Sequence, residues 1–194
     1  MYFYEIDGNN YFMNLKFHDN LLPTLPIMQE LPLDRVIGIT STIPIEIVFA
    51  AGYIPIDLNN IFICDRLSYK MVEDAESAGI PRNTCAWIKG IYSAAKVYNI
   101  RNLISVIQGD CSNNQALMEI FQSDGIGTIP FAYPHSKNDY KYLHKQQVYL
   151  ADSLGVDYKK AEDMKRKLDI IRTKVHEIDR LTWKENLVTG EENH

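Results

Sequence analysis

The stretch from Val36 to Leu58, VIGITSTIPIEIVFAAGYIPIDL, constrains the fold more than any other, because it is the longest nearly uncharged run and carries turn residues at useful places. Val36–Thr40 is a short β-branched run of the kind a buried parallel strand needs. Ser41 and Thr42 then offer hydroxyls that can cap a helix, Pro44 suits a first helical turn, and Gly52 suits a left-handed helix stop. Tyr53–Leu58 resumes strand character, so the run reads as strand, turn, helix, strand. A membrane span needs about 18 apolar residues in succession. Pro44, Glu46 and the Ser41–Thr42 pair interrupt the run, and no membrane-spanning role is expected.

Further along, Asn60–Cys64 reads as a short strand or the end of a loop, and Asp65–Ala78 has helix-forming composition ending at Gly79. Pro81 closes that element, and Asn83 or Thr84 can cap a helix in which Ile88, Ile91, Ala95 and Tyr98 recur at helical spacing. Leu103–Ile107 is a second buried-strand candidate. A loop over Gln108–Asn113, a helix through Leu117 and Ile120, and a strand over Ile126–Tyr133 follow. Strands alternating with helices of this length predict an open, mainly parallel α/β sheet with helices on both faces, Rossmann-like in its layering. From Asp139 onward the pattern is helical only, and Asp157–Glu185 carries a seam of Met164, Leu168, Ile171, Val175 and Ile178 stepping by four and three. Such a helix closes its own domain or faces a second lobe or partner. The organisation expected is an N-terminal arm over 1–35, irregular or briefly helical around Pro23, Pro26 and Pro32; an α/β domain over 36–137; and a C-terminal helical segment over 138–194.

A chain of 194 residues can bury one substantial core without staples. Its 20 Lys and Arg against 25 Asp and Glu leave a formal charge of −5 with no basic block, which argues against a nucleic-acid surface. The first residues mix aromatics with acids and amides rather than forming a signal segment, so a cytoplasmic chain is expected. There, three scattered cysteines read as reduced thiols, metal ligands or redox groups rather than as a disulfide framework.

Cys85 and Cys111 are the most informative pair. Each falls at the predicted start of a helix, where the macrodipole favours anions and thiolates, and Cys111 also follows a strand. Loops beyond the carboxyl ends of parallel strands are where such sheets bind ligands. Two thiolates at that edge suit a soft metal centre such as iron–sulfur or zinc, although their spacing matches no close ligand motif; two separate buried or half-buried thiols are the plainer reading. Cys64 reads as a core thiol, with a third metal ligand as the alternative. Asp110, Ser112 and Asn113 can cap the helix after Cys111. Ser41 sits between strand and helix, a position suited to a ligand contact, but no nucleophile elbow surrounds it and no His–Asp pair is assignable to it. Glu46 is accounted for by a helix start, and His135 and His144 read as surface histidines before proton carriers. ITSTIP lacks the glycines of a phosphate-cradling loop.

Several of these pieces occur together in one known family. Ser41-Thr42-Ile43-Pro44-Ile45-Glu46-Ile47, continued by Ala50-Ala51-Gly52-Tyr53-Ile54-Pro55-Ile56, resembles the signature of the iron–sulfur subunits of 2-hydroxyacyl-CoA dehydratases and the related benzoyl-CoA reductases. Ala75-Glu76 with Gly79-Ile80-Pro81 and Cys85 resembles the family's first cluster-cysteine segment, and Gly109-Asp110-Cys111-Ser112 its second. The helical tail, from Leu154-Gly155-Val156 through Ile171-Arg172 to Leu187-Val188, resembles the segment that leads to a second lobe. The resemblance implies a [4Fe-4S] cluster held by thiolates, an acyl-CoA substrate, a homologous dehydratase subunit or second lobe, and an ATP-dependent iron–sulfur activator that injects one electron to form a ketyl radical. Carried over, Cys85 and Cys111 would be cluster ligands and Ser41 a contact to the acyl group, while Cys64 matches no ligand position of the family. The family continues into a second α/β lobe with a further cluster cysteine, and it is expected to carry an acidic residue where this chain has Ser112. The readings left open are the N-terminal lobe of a dehydratase-type subunit, inactive alone; a non-catalytic electron-transfer or assembly protein on the same lobe; and a cluster-free binding domain.

Overall fold

The computed structural model of the chain describes residues 3–6, 9–12 and 31–193. Strands β1 (Phe3–Ile6) and β2 (Asn9–Phe12) form an antiparallel pair where the sequence suggested irregular chain or a short helix. Pro23 and Pro26 lie outside the described residues.

The apolar run folds as read. It forms β3 (Val36–Ile39), α1 (Ile45–Ala50) and β4 (Ile54–Asp57), and every residue of β3 is buried. Pro44, not Ser41 or Thr42, takes the position before α1, and no side chain caps that helix. β4 then runs straight into α2 (Leu58–Cys64), a helix where NIFIC suggested a strand or loop. The cause is Asp57, whose carboxylate accepts the Asn59 N–H at 2.9 Å and so starts a helix at the strand's last residue.

Next come α3 (Ser68–Ser77), α4 (Ala86–Val97), β5 (Asn102–Gln108), α5 (Asn113–Ser123) and β6 (Gly127–Ala132). The chain finishes with α6 (Tyr140–Ser153), the long α7 (Tyr158–Trp183) and the short α8 (Gly190–Asn193). β3, β4, β5 and β6 make one parallel sheet in the order β4-β3-β5-β6. The crossover from β3 to β4 runs one way across the sheet, and those from β4 to β5 and from β5 to β6 run the other way. A single crossover hand therefore demands opposite faces for the two directions. That is what the core shows: Ile47 and Val48 of α1 pack on one face with Ile104, Val106 and Phe131, and the α2–α5 side chains pack on the other around Leu103.

Leu150 and Ala151 of α6 and Ala161 of α7 join the α1 face, so the C-terminal helices close the sheet. The seam of α7 divides in two. Met164 and Leu168 are half-buried, and Arg172 reaches back to Glu46 of α1 at 2.5 Å. Beyond them Ile171, Val175 and Ile178 are exposed among the described residues. None of the described helices is long and apolar enough to cross a membrane.

Candidate functional site

The carboxyl ends of β3, β4 and β5 open into a cleft of about 350 Å³. It lies where neighbouring connections leave the sheet in opposite directions, the switch point at which open parallel sheets bind ligands. Ser41, Cys85 and Cys111 all line it, together with Thr40, Thr42, Asp57, Asn59, Trp87, Asp110 and Asn114. Cys64 does not. It sits at the far end of α2 from Asn59, half-buried.

Each side chain is placed by a local device. Beyond β3, Thr40 N–H donates to Ile104 carbonyl at 3.3 Å, and its hydroxyl oxygen accepts the Val106 N–H at 3.1 Å. These bonds fasten the chain to β5 immediately before Ser41. Asn59 fastens it from the other side. Its Nδ2 donates to Thr40 carbonyl at 2.9 Å and to Asp57 Oδ1 at 2.7 Å, and its Oδ1 accepts from Trp87 Nε1 at 2.5 Å. Trp87 thus stands in the first turn of α4 as a wall of the cleft, and Phe62 meets its ring edge-on with centroids 5.7 Å apart.

Cys85 occupies the residue before α4 in extended conformation, and its thiol caps nothing. The loop that presents it is held from beneath by Lys89, 3 % exposed, which donates to Arg82 carbonyl at 2.7 Å and pairs with Glu76 at 2.7 Å. The Lys89 hydrogen bond, with the charges of Lys89 and Arg82 behind it, holds the Glu76 carboxyl below its ordinary range. Cys111 lies between β5 and α5, and its carbonyl accepts the Asn114 N–H at 3.0 Å. The turn before it depends on Gly109, at φ +84°, where a Cβ would meet Tyr133 Cβ at 2.7 Å. Neither thiol is buried: Cys85 and Cys111 are both exposed, against the plainer expectation of buried or half-buried thiols. Asp110 and Asn113 do not cap α5; Ser112 takes the cap position without a side-chain bond, and Asp110 instead accepts from Asn114 Nδ2 at 3.0 Å.

Tyr133, just past β6, braces the same edge by donating its hydroxyl hydrogen to Thr42 carbonyl. Burial pushes its phenol up, the hydrogen bond with Ser41 opposes this, and the Asp110 charge adds to it, so the group stays neutral. The described lining carries two carboxylates, Asp57 and Asp110, and no Lys, Arg or His. His135 is exposed beside Gln108, with 3.1 Å between their Nε2 atoms, while His144 packs edge-on against Tyr158 with centroids 5.2 Å apart. They do not form a pair in the cleft. Asp57, Asn59, Trp87, Asn114 and Tyr133 were not singled out by the sequence, although each follows a strand end or a helix start that was.

A model of the family described as 2-hydroxyglutaryl-CoA dehydratase, D-component, matches residues 40–189. The chain belongs to that family. No curated protein matches it. The match opens at Thr40 and so takes in the cleft's lining and the helices that close the sheet. A dehydratase D-component is expected to work with iron–sulfur chemistry, and the donor set can be tested against it. A cubane needs a ligand at each of four irons, normally thiolates. This cleft supplies two thiols, and among the described residues no group of three or more His, Cys, Asp or Glu gathers to hold a metal. The described lining therefore offers two thiols and not a whole ligand set.

Proposed function

We propose that the chain is the N-terminal lobe of a 2-hydroxyacyl-CoA dehydratase-type subunit and contributes one half of a cluster-bearing cleft. In this reading Cys85 and Cys111 donate two thiolates to a [4Fe-4S] cluster, and a second lobe or a homologous partner subunit supplies the remaining ligands and the rest of an acyl-CoA site. The observation that carries the reading is the convergence of Cys85, Cys111 and Ser41 on one cleft in a chain of the dehydratase family. The chain's own residues then have simple tasks. Lys89 and Asn59 hold the two sides of the cleft in place, Trp87 walls it off, and Ser41 offers its hydroxyl toward the acyl group while Tyr133 fixes the turn that carries it. An ATP-dependent iron–sulfur activator would deliver the electron. With half a ligand set, the chain is inactive alone.

The shortage of donors favours a second reading: the lobe serves as an electron-transfer or assembly protein, or binds a ligand without any cluster. Anaerobic production together with a homologous partner, followed by iron and sulfide analysis, separates the cluster-bearing dehydratase reading from a cluster-free one, and dehydration of a 2-hydroxyacyl-CoA by the activated complex separates it from an electron carrier. The dehydratase reading expects iron and sulfide that disappear in the Cys85→Ala, Cys111→Ala double variant. Absence of iron from the wild-type complex would overturn the reading, and full iron retention by the double variant would overturn the assignment of the two cysteines.

A further inference from the structure

Lys89 is the one charged side chain buried among the described residues, 3 % exposed within α4, and stability alone does not account for it. A buried ion pair is often no more stabilising than apolar side chains of the same volume, because each charge loses its water. The contacts of Lys89 supply another reason. Its backbone N–H donates to Cys85 carbonyl at 3.3 Å, and its ammonium donates to Arg82 carbonyl at 2.7 Å. One residue therefore holds both ends of the segment Arg82–Cys85, through the backbone at one end and the side chain at the other. The ammonium is itself held by Glu76 of α3 at 2.7 Å, and Glu76 also faces Arg82 Nε at 3.5 Å.

The segment has little apolar contact to hold it. Pro81, Arg82, Asn83 and Cys85 are exposed, and none of them belongs to either apolar cluster of the core. The Thr84 N–H closes a turn on the Pro81 carbonyl at 2.9 Å, which shapes the segment locally without tying it to the sheet. Beyond Cys85 the chain is fixed, because Trp87 is bonded to Asn59 of α2. Cys85 thus sits between a firm anchor two residues ahead and a segment that Lys89 clasps from below. Cys111 reaches the same cleft by another route, from the end of β5 through the turn at Gly109, and the hydrogen bonds of Lys89 do not extend to that turn.

We propose that Lys89 is the positioning residue that sets Cys85 against Cys111. With the clasp closed, the segment presents its thiol into the cleft beside the second one. Without the ammonium, the segment moves about the anchor at Trp87 and the two thiols separate, while Cys111 stays where β5 leaves it. The inference rests on the reading of the two thiols as a ligand pair, and it adds the residue that makes them a pair.

The test uses dibromobimane, which fluoresces once it has alkylated two neighbouring thiols, on the reduced full chain. A Cys64→Ser background leaves Cys85 and Cys111 as its only thiols. We expect bridging of the two in that background, located by peptide mass. In Lys89→Met, whose side chain keeps its length and loses the ammonium bonds, the bridging rate should fall at least about fivefold. Alkylation of Cys111 by N-ethylmaleimide should change by less than about twofold, since that thiol is held independently. A merely structural role for Lys89 would move the Cys111 rate together with the bridging rate, and that result overturns the inference. Unchanged bridging in Lys89→Met overturns the assignment to Lys89, and absence of bridging in the Cys64→Ser background overturns the juxtaposition itself. Iron and sulfide analysis of the complex judges the cluster reading separately from all of these. Where Lys89→Met does not fold, Glu76→Gln takes its place, because the Glu76 side chain is 27 % exposed and can turn to water. Its expected fall in bridging is about twofold or more, and an unchanged rate overturns the inference.

Discussion

Gly90 lies in the middle of α4, a position where glycine is ordinarily a defect, and replacing it tests how tightly the helix that carries Trp87 is seated. On an exposed helix, Gly→Ala would gain about 1 kcal/mol. Here the added methyl would fall inside contact distance of the Phe62 ring, which packs across Gly90 from α2. Overpacking of this kind costs about 1–3 kcal/mol or more. The gain and the cost leave Gly90→Ala destabilised by up to about 2 kcal/mol, which lowers Tm by a few degrees in a chain of this size. Phe62→Leu removes the ring and on its own costs about 1–2 kcal/mol of buried area and packing. The two changes should compensate, with a favourable coupling of about 1–2 kcal/mol in the double variant. Urea denaturation followed by circular dichroism and tryptophan fluorescence measures this. The chain has two tryptophans and Trp183 is 73 % exposed, so a Trp183→Phe background isolates Trp87, which Phe62 touches. The reasoning is refuted if Gly90→Ala stabilises the chain, or if the two substitutions are simply additive.

Three further outcomes follow from single contacts. Lys96 and Tyr92 each bond to Asp124 Oδ2 at 3.0 Å, and chiefly the Lys96 bond, supported by Tyr92, holds its carboxyl below the ordinary range. A depressed folded value means that the unfolded chain binds the proton first as pH falls, so this stability is present above the ordinary carboxylate pKa of about 4 and is lost below it. Asp124→Asn should therefore lower stability at pH 6 by at most about 1 kcal/mol, with the gap closing toward pH 3 in urea titrations across that range; a gap independent of pH refutes it. Gly109→Ala adds both a left-handed backbone penalty and a clash with Tyr133, and should cost about 2 kcal/mol or more in the same denaturation assay while accelerating alkylation of Cys111. Glu46→Gln, which weakens the tie between α1 and α7, should cost no more than about 1 kcal/mol because Arg172 is 37 % exposed and keeps Asp169 at 3.0 Å; a larger loss would mean that α7 needs this pair to dock.

Much of the fold can be read from apolar runs and their interruptions. VIGI, LISVI and the strand before Tyr133 lie at or near their expected positions because buried parallel strands need continuous β-branched and aliphatic residues. NIFIC misleads for a physical reason: its apolar residues Ile61, Phe62 and Ile63 form a continuous run too short to separate strand from helix, and what decides it is one carboxylate, Asp57, acting on the backbone two residues ahead. The caps near the cleft were also misassigned. Ser41, Thr42, Thr84 and Asp110 all have capping chemistry, yet α1, α4 and α5 begin without a side-chain cap. The N-terminal strands were missed although Asp7-Gly8 between two aromatic stretches is a recognised hairpin signal.

The same contrast separates the parts of the cleft that were legible from those that were not. Ser41 and Cys111 follow directly from strand ends, so parallel pairing alone puts them on one edge. Cys85 reaches that edge only because α4 runs antiparallel to the strands on one face of the sheet, which brings its first turn to their carboxyl ends. Asn59 and Trp87 depend on a contact between residues far apart in the chain, an amide of α2 bonded to an indole of α4, while Asn114 is tied to Asp110 only four residues before it. No local pattern announces the pairing of Asn59 with Trp87. The rest of the lining nonetheless says something the cysteines cannot. Two thiols at a helix edge suit several metals and several partners, whereas two carboxylates and no basic side chain in the described lining disfavour an anionic group at this end of the sheet.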